Sequence, residues 1–215
     1  MRKGSHLFDE SLKENILELM TSPNFEWGYG HTTFPIEKDH SDFTNFNEYG
    51  FSHTFFDEEK GPTGRFSSHL QPLLFQILDV TNCDFILRGR VDMVTWSKED
   101  FIHPAHMDFP IPNTGAVFYI NETDGDTIFY NVKPKDVPEY KVNYKDLKEY
   151  DRVSPKANRL VIFDGDLLHT GCSPTKHKNR ILINSNYIKK EYGEEFKVFF
   201  KNRTSLPPNS NERIL

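Results

Sequence analysis

From residue 84 onward the chain is punctuated rather than periodic. Short apolar runs rich in Phe, Val, Ile and Tyr occupy residues 85–87, 91–96, 116–121, 127–130, 160–163, 181–187 and 196–200. Turn formers stand between them: Asn113-Thr114-Gly115, Asp124-Gly125, Asp164-Gly165, and Gly171 with Pro174. Runs this short, bounded this way, predict many strands folded as a sandwich or jelly roll. An aromatic content of 14 %, with 19 Phe, suits a sheet-rich core.

The N-terminal part reads differently. Leu12, Ile16, Leu19 and Met20 fall at helical spacing and predict a helix over 10–20. A second helix is expected over 68–80, with Leu70, Leu74, Ile77 and Leu78 inward and Pro72 in its first turn. Residues 21–66 show little periodicity and read as irregular structure wrapped on the domain. The fold class expected is therefore mainly β with supporting helices (α+β). It forms one domain over 1–203, with 1–83 as N-terminal support and 84–203 as core, and a flexible tail over 204–215. Residues 131–158, charged and Tyr-rich, are too long for a hairpin; Tyr140, Tyr144, Leu147 and Asp151 suggest a short helix there, and such an insertion reads as a substrate lid or a disordered segment.

Charge narrows the partners. The formal net charge of −6 disfavours non-specific binding to nucleic acid or to an anionic membrane, both of which need a basic face. No apolar run approaches a membrane span, and Arg2 and Lys3 have no apolar stretch behind them, so a soluble, cytoplasmic protein without a signal peptide is expected. Two cysteines, Cys83 and Cys172, make neither a disulfide framework nor a four-cysteine zinc site, and a reducing compartment is the simplest reading.

The chemistry concentrates in four places. In an extended segment residues i and i+2 share a face, so His106 and Asp108 can aim at one point. His169 lies 61 residues after Asp108, behind an apolar strand and the Asp164-Gly165 turn. Two histidines and one carboxylate on one face of a metal leave open positions, the facial arrangement of non-haem iron(II) oxygenases. Arg180 follows His169 by 11 residues and opens a run whose alternation puts Arg180, Leu182 and Asn184 on one face. An inward arginine is costly unless it meets an anion, and its fork fits a carboxylate. On the strand 116–121 the alternation puts Val117, Tyr119 and Asn121 on one side, so Tyr119 can offer its hydroxyl to the same anion. Each feature has a plainer alternative: a solvated turn for the His-x-Asp pair, a strand-end arginine in water, a core tyrosine.

Together these residues resemble the iron(II)/2-oxoglutarate-dependent dioxygenases, and within them the prolyl-hydroxylase-like branch. The resemblance rests on His106-x-Asp108, then Tyr119-Ile120-Asn121, then Gly125-Asp126-Thr127-Ile128-Phe129, then Phe163, His169 and Arg180, and covers about residues 85–200. It implies a double-stranded β-helix, a distorted jelly roll of cupin type. It implies that His106, Asp108 and His169 hold Fe(II), that Arg180 and Tyr119 grip the distal carboxylate of 2-oxoglutarate, and that Trp96 and Thr127 line the same pocket. The implied activity is hydroxylation of an unactivated C–H bond by O2, with 2-oxoglutarate decarboxylated to succinate. The substrate would be a small molecule or a peptidyl side chain, prolyl by preference. Gly-Asp stands where Gly-Gly is usual, and Arg180 where collagen-type enzymes have Lys; both bear on substrate rather than on iron.

Two other classes stay open. Cupins typically carry His-x-His followed by Glu, whereas here Phe109-Pro110-Ile111-Pro112 follows His-x-Asp and supplies none. A non-catalytic jelly-roll module would bind neither iron nor 2-oxoglutarate. His103, before Pro104, reads as a rim residue and not a ligand; Cys172 as a buried small residue; Arg65 and Arg88 as candidates for touching an acidic substrate.

Overall fold

A computed structural model describes residues 1–5, 8–31, 49–109, 111–132 and 147–204. Their elements run β1 (Arg2–Ser5), α1 (Glu10–Thr21), β2 (Gly28–His31), β3 (Tyr49–Asp57), β4 (Gly61–Pro62), α2 (Ser67–Thr81), β5 (Phe85–Thr95), β6 (Thr114–Tyr119), β7 (Thr127–Tyr130), β8 (Glu149–Val153), β9 (Arg159–Asp164), β10 (His169–Gly171), β11 (Asn179–Ile188), a 3-10 turn (Lys190–Tyr192) and α3 (Gly193–Thr204).

Among the described residues two antiparallel sheets form. The larger has the order β1-β9-β6-β11-β5-β3-β2, with β4 on β3; the smaller is β10-β7-β8. Isolated bridges pair Ile102 with Cys172 and His106 with His169, so the segment around 102–106 extends the smaller sheet beyond β10. Strand β11 sits between β6 and β5 and is buried on both faces after its first residue, so Arg180, Asn184, Ser185 and Asn186 are buried along with its apolar side chains.

Alternation along the strands divides the core. Phe118, Ile120, Ile181, Ile183 and Val91 face the helices and pack with Ile16, Met20, Leu70, Leu73, Leu74 and Ile77. Val117, Tyr119, Val161, Phe163 and Leu182 face the smaller sheet and pack with Phe129, Val153 and Leu167. A fully buried side chain such as Phe118 contributes roughly 1.5–3 kcal/mol. The N-terminus of α1 is capped by Asp9, which accepts from the Ser11 backbone N–H. Asn158, in the left-handed region at φ 63°, accepts from the Phe8 N–H and donates to the Phe8 carbonyl, so the start of the chain is tied to the turn before β9.

Several expectations are corrected. Residues 196–200 are helical, within α3: Glu194 and Glu195 suit its first turn, and Phe196 packs beside the Leu87, Phe109 and Ile188 cluster. Residues 21–66 contain β2, β3 and β4; β3 carries a bulge between Thr54 and Phe56 that breaks the two-residue period. Inside the insertion, Asp151 belongs to β8 and Leu147 is not helical, while Tyr140 and Tyr144 lie outside the described residues. Strand β1 is a polar edge strand on β9, with no apolar signal to announce it. Helix α2 begins a residue earlier than expected, so Pro72 lies past its first turn; Leu73 joins the buried set, and Leu78 packs partly buried against the same core. The expected tail falls mainly on 205–215, outside the described residues. Among the described residues no helix is long and apolar enough to cross a membrane.

Candidate metal centre

The site lies between the two sheets. His106, Asp108 and His169 each offer one ligand atom, and these atoms lie within 4.8 Å of one another. His106 comes from the segment that extends the smaller sheet and His169 opens β10; the two are held by reciprocal backbone bonds, His106 N–H to the His169 carbonyl at 2.9 Å and the reverse at 2.8 Å. Nδ1 of His169 sits 2.9 Å from the Leu167 carbonyl oxygen, and Nδ1 of His106 sits 3.4 Å from that of Pro104. A carbonyl only accepts, so the proton belongs on Nδ1 and Nε2 is left as the metal-binding atom. Burial, and then His169, hold the His106 imidazole down to about 3, the neutral form that a metal takes.

Asp108 is nearly sealed, with 2 % of its side chain exposed. Its Oδ1 accepts from Arg88 Nη2 at 2.6 Å and its Oδ2 from Asn186 at 3.0 Å. Its Oδ2 is 3.9 Å from His169 Nε2. Burial pushes its carboxyl up, but Arg88, the two histidines and Asn186 outweigh burial and hold it well below the usual carboxylate range. A carboxylate and two imidazoles that converge on one point, with His169 and the Asp108 side chain deeply buried, form a donor set suited to a divalent first-row metal.

A second group stands further along β11. Arg180 is 5 % exposed, donates from Nη2 to Thr127 Oγ1 at 2.6 Å, and lies over the Tyr119 ring at 5.6 Å. Tyr119 and Thr127 share a hydroxyl bond of 2.6 Å. Arg180 meets no carboxylate among the described residues, and its buried Nε has no hydrogen-bond partner there. Two glycines make room for it: a Cβ on Gly171 would stand 2.8 Å from Arg180 Nη1, and one on Gly125 would stand 2.9 Å from Arg180 Cδ and 2.4 Å from the Cys172 carbonyl. A buried, partly unpaired guanidinium beside two hydroxyls is a receptor for an anion.

The residues expected from sequence thus fall into a triad, His106, Asp108 and His169, and a cluster, Arg180, Tyr119 and Thr127. Trp96 lies past the end of β5, 53 % exposed, with its indole N–H donated to the Thr175 carbonyl at 2.8 Å, and no bond joins it to the hydroxyl cluster among the described residues. His103 is not at the rim: it is buried, its Nε2 is 3.0 Å from Ser173 Oγ, and burial with Arg180 holds its imidazole down to about 4. Cys172 is buried, as expected. Arg65 is an exposed surface residue 3.6 Å from Glu26, remote in role from the site. Sequence reasoning placed Asn184 on the Arg180 face without a role and missed Asn186; they donate to Asp108 Oδ1 at 3.4 Å and Oδ2 at 3.0 Å. The period-two continuation of the Arg180, Leu182 row along β11 is the signal that finds them.

No family model matches the sequence, and no curated protein matches it significantly. Solved structures do match in fold. An oxidoreductase of the 2OG-Fe(II) oxygenase family from Burkholderia pseudomallei aligns at TM-score 0.58 and 11 % identity, over 86 % of this chain and 82 % of its own. A Pseudomonas putida prolyl-4-hydroxylase aligns at 0.54 and 11 %, over 87 % and 92 %. HygX from Streptomyces hygroscopicus, with nickel, 2-oxoglutarate and hygromycin B bound, aligns at 0.53 and 12 %, over 87 % and 82 %. The chain therefore has the jelly-roll fold of the 2-oxoglutarate/iron(II) oxygenases.

Proposed function

We propose that this protein is an Fe(II)- and 2-oxoglutarate-dependent oxygenase that hydroxylates an unactivated C–H bond. The observation that carries the reading is the pairing, in one inter-sheet space, of a His-Asp-His donor set with a buried arginine that lacks a carboxylate partner. Bound there, iron(II) would activate O2 with 2-oxoglutarate as the two-electron reductant, one oxygen atom passing to succinate as carbon dioxide leaves and the other to the substrate C–H bond.

The chain's own residues prepare the site. His106 and His169 present unprotonated Nε2 atoms, oriented by the Pro104 and Leu167 carbonyls. Asp108 brings the one negative charge, steadied by Arg88 and Asn186. Arg180 and the Thr127 and Tyr119 hydroxyls receive the distal carboxylate of 2-oxoglutarate. Phe163, 4.9 Å from the His169 ring, and Phe129, at 6.0 Å, wall the metal side against water.

The substrate is read as an amino-acid side chain, prolyl by preference. Support comes from the fold shared with the Pseudomonas putida prolyl-4-hydroxylase and with a Trichoplax adhaerens prolyl hydroxylase solved with a hypoxia inducible factor peptide, at TM-score 0.52. The test is anaerobic titration of the Fe(II) protein with 2-oxoglutarate, followed by the weak visible band of the chelate. The band is expected in the native protein; iron binding without it returns the chain to the cupin class, and no iron binding makes it a non-catalytic jelly roll.

A further inference from the structure

The site face of β5 carries charge that neither the metal nor the co-substrate explains. Register places Arg88 opposite Asn186, Arg90 opposite Asn184 and Asp92 opposite Leu182, so all three lie on the face that holds Arg180. Arg90 and Asp92 cancel as a close pair, Nε to Oδ1 at 2.7 Å and Nη2 to Oδ2 at 3.1 Å. Arg88 is different. Its Nη2 donates to Asp108 Oδ1 at 2.6 Å and to Asn186 Oδ1 at 3.0 Å, and its guanidinium lies over the Phe109 ring at 5.1 Å. Its Nε is buried without a hydrogen-bond partner, and Nη1 bonds to no described residue.

Charge balance then singles it out, on the oxygenase reading above. A metal takes both imidazoles in their neutral form. A divalent ion is met by Asp108 and by one carboxylate of 2-oxoglutarate. The other carboxylate is met by Arg180, and Arg90 by Asp92. Arg88 is left over: its one ion-pair partner among the described residues, Asp108, is the carboxylate the metal takes. Two acidic residues lie near it on β3 and the turn after it: Asp57, opposite Arg88 in register, accepts instead from the Glu59 and Lys60 N–H groups, and Glu58, whose carboxyl burial pushes up, forms no ion pair with Arg88 among the described residues. An uncompensated positive charge, with 19 % of its side chain exposed, is costly until an anion reaches it.

We infer that Arg88 receives a carboxylate of the primary substrate, through the guanidinium donors that Asp108 and Asn186 leave open. A planar fork suits a carboxylate, and no lysine among the described contacts adds the further charge that a phosphate favours. The substrate class is then a carboxylic acid: a free amino acid or a residue with an acidic group beside the reacting carbon.

The experiment uses the full chain loaded with Zn(II), which is redox-inactive, and saturated with 2-oxoglutarate. Isothermal titration calorimetry compares N-acetylglycine, its neutral amide, and acetyl-aspartyl amide, whose only anion is a side chain. A carboxylate bound about tenfold or more tightly than the neutral amide supports the inference, and which carboxylate wins names its source. Arg88→Gln is expected to bring that preference to within about twofold, and Arg88→Lys to keep part of it. Equal binding of acid and amide by the native protein overturns the inference without any variant. So does a preference that survives Arg88→Gln while zinc affinity falls, because Arg88 then only steadies Asp108. Failure of the native protein to take up 2-oxoglutarate in the preceding titration overturns the oxygenase reading itself.

Discussion

His106 and His169 are joined backbone to backbone, each N–H donating to the other's carbonyl at 2.9 and 2.8 Å, while their rings stand 4.8 Å apart. The chain thus brings the two histidines of the candidate metal centre together with bonds that neither side chain makes. The scaffold of the site is independent of its ligands.

It follows that His106→Ala abolishes metal uptake and leaves the fold nearly intact. Metal-free His106→Ala is expected within about 1 kcal/mol of the native protein in urea denaturation. Stoichiometric iron in the His106→Ala/Asp108→Ala double variant, measured by elemental analysis, would show that the ligands lie elsewhere.

Asp108→Ala loses metal equally but behaves differently as a fold. It strands Arg88, whose ion-pair partner it is and whose side chain is only 19 % exposed. A loss of about 2 kcal/mol in the metal-free protein is expected, and Asp108→Asn, which keeps a carbonyl oxygen for Arg88, recovers most of it. Equal stability of the two Asp108 variants would mean that Arg88 finds another partner.

Arg180→Ala is expected to raise the 2-oxoglutarate concentration needed by roughly 10- to 100-fold with iron retained, the loss of a charge-assisted contact. Gly171→Ala tests the same anchor from outside. Its Cβ would stand 2.8 Å from Nη1, the far end of a flexible side chain, so the fold accommodates it while the guanidinium is displaced. Its 2-oxoglutarate requirement should rise and its iron content should not. Gly125→Ala instead meets the Cys172 carbonyl at 2.4 Å and should lower the melting temperature. A co-substrate requirement unchanged by both Arg180→Ala and Gly171→Ala would move the anchor elsewhere.

Stability of the metal-free protein should fall as pH falls below the ordinary histidine value of 6.5. His103 is held down to about 4 and His106 to about 3, in both cases first by burial. Unfolded histidines take up protons near 6.5 and folded ones do not, so between about 6.5 and about 4 the unfolded state binds up to two more protons. Each proton contributes about 1.4 kcal/mol per pH unit. Denaturation midpoints at pH 7.5 and 5.5 measure this, and His103→Gln should shallow the slope by one proton. A flat profile would show that neither imidazole is buried neutral.

Much of this protein was legible along the chain because its information is local. Strand alternation alone separates Phe118 and Ile120 from Val117 and Tyr119, and Arg180 from Ile181, since a side chain's face depends only on its parity. The i, i+2 spacing likewise aims His106 and Asp108 together. What parity does not contain is which strand lies beside which. The pairing of β3 with β5 behind a bulge, the edge strand β1, and the helix at 193–204 that a Phe-rich run disguises as a strand depend on partners distant in sequence. The burial of His103, the bond from Trp96 to the Thr175 carbonyl, and the placing of Arg88 against Asp108 are of the same kind. Residue types and spacing determine which side chains can carry chemistry; only the packed sheets decide which of their charges are left without a partner, because desolvation and pairing are properties of the whole neighbourhood.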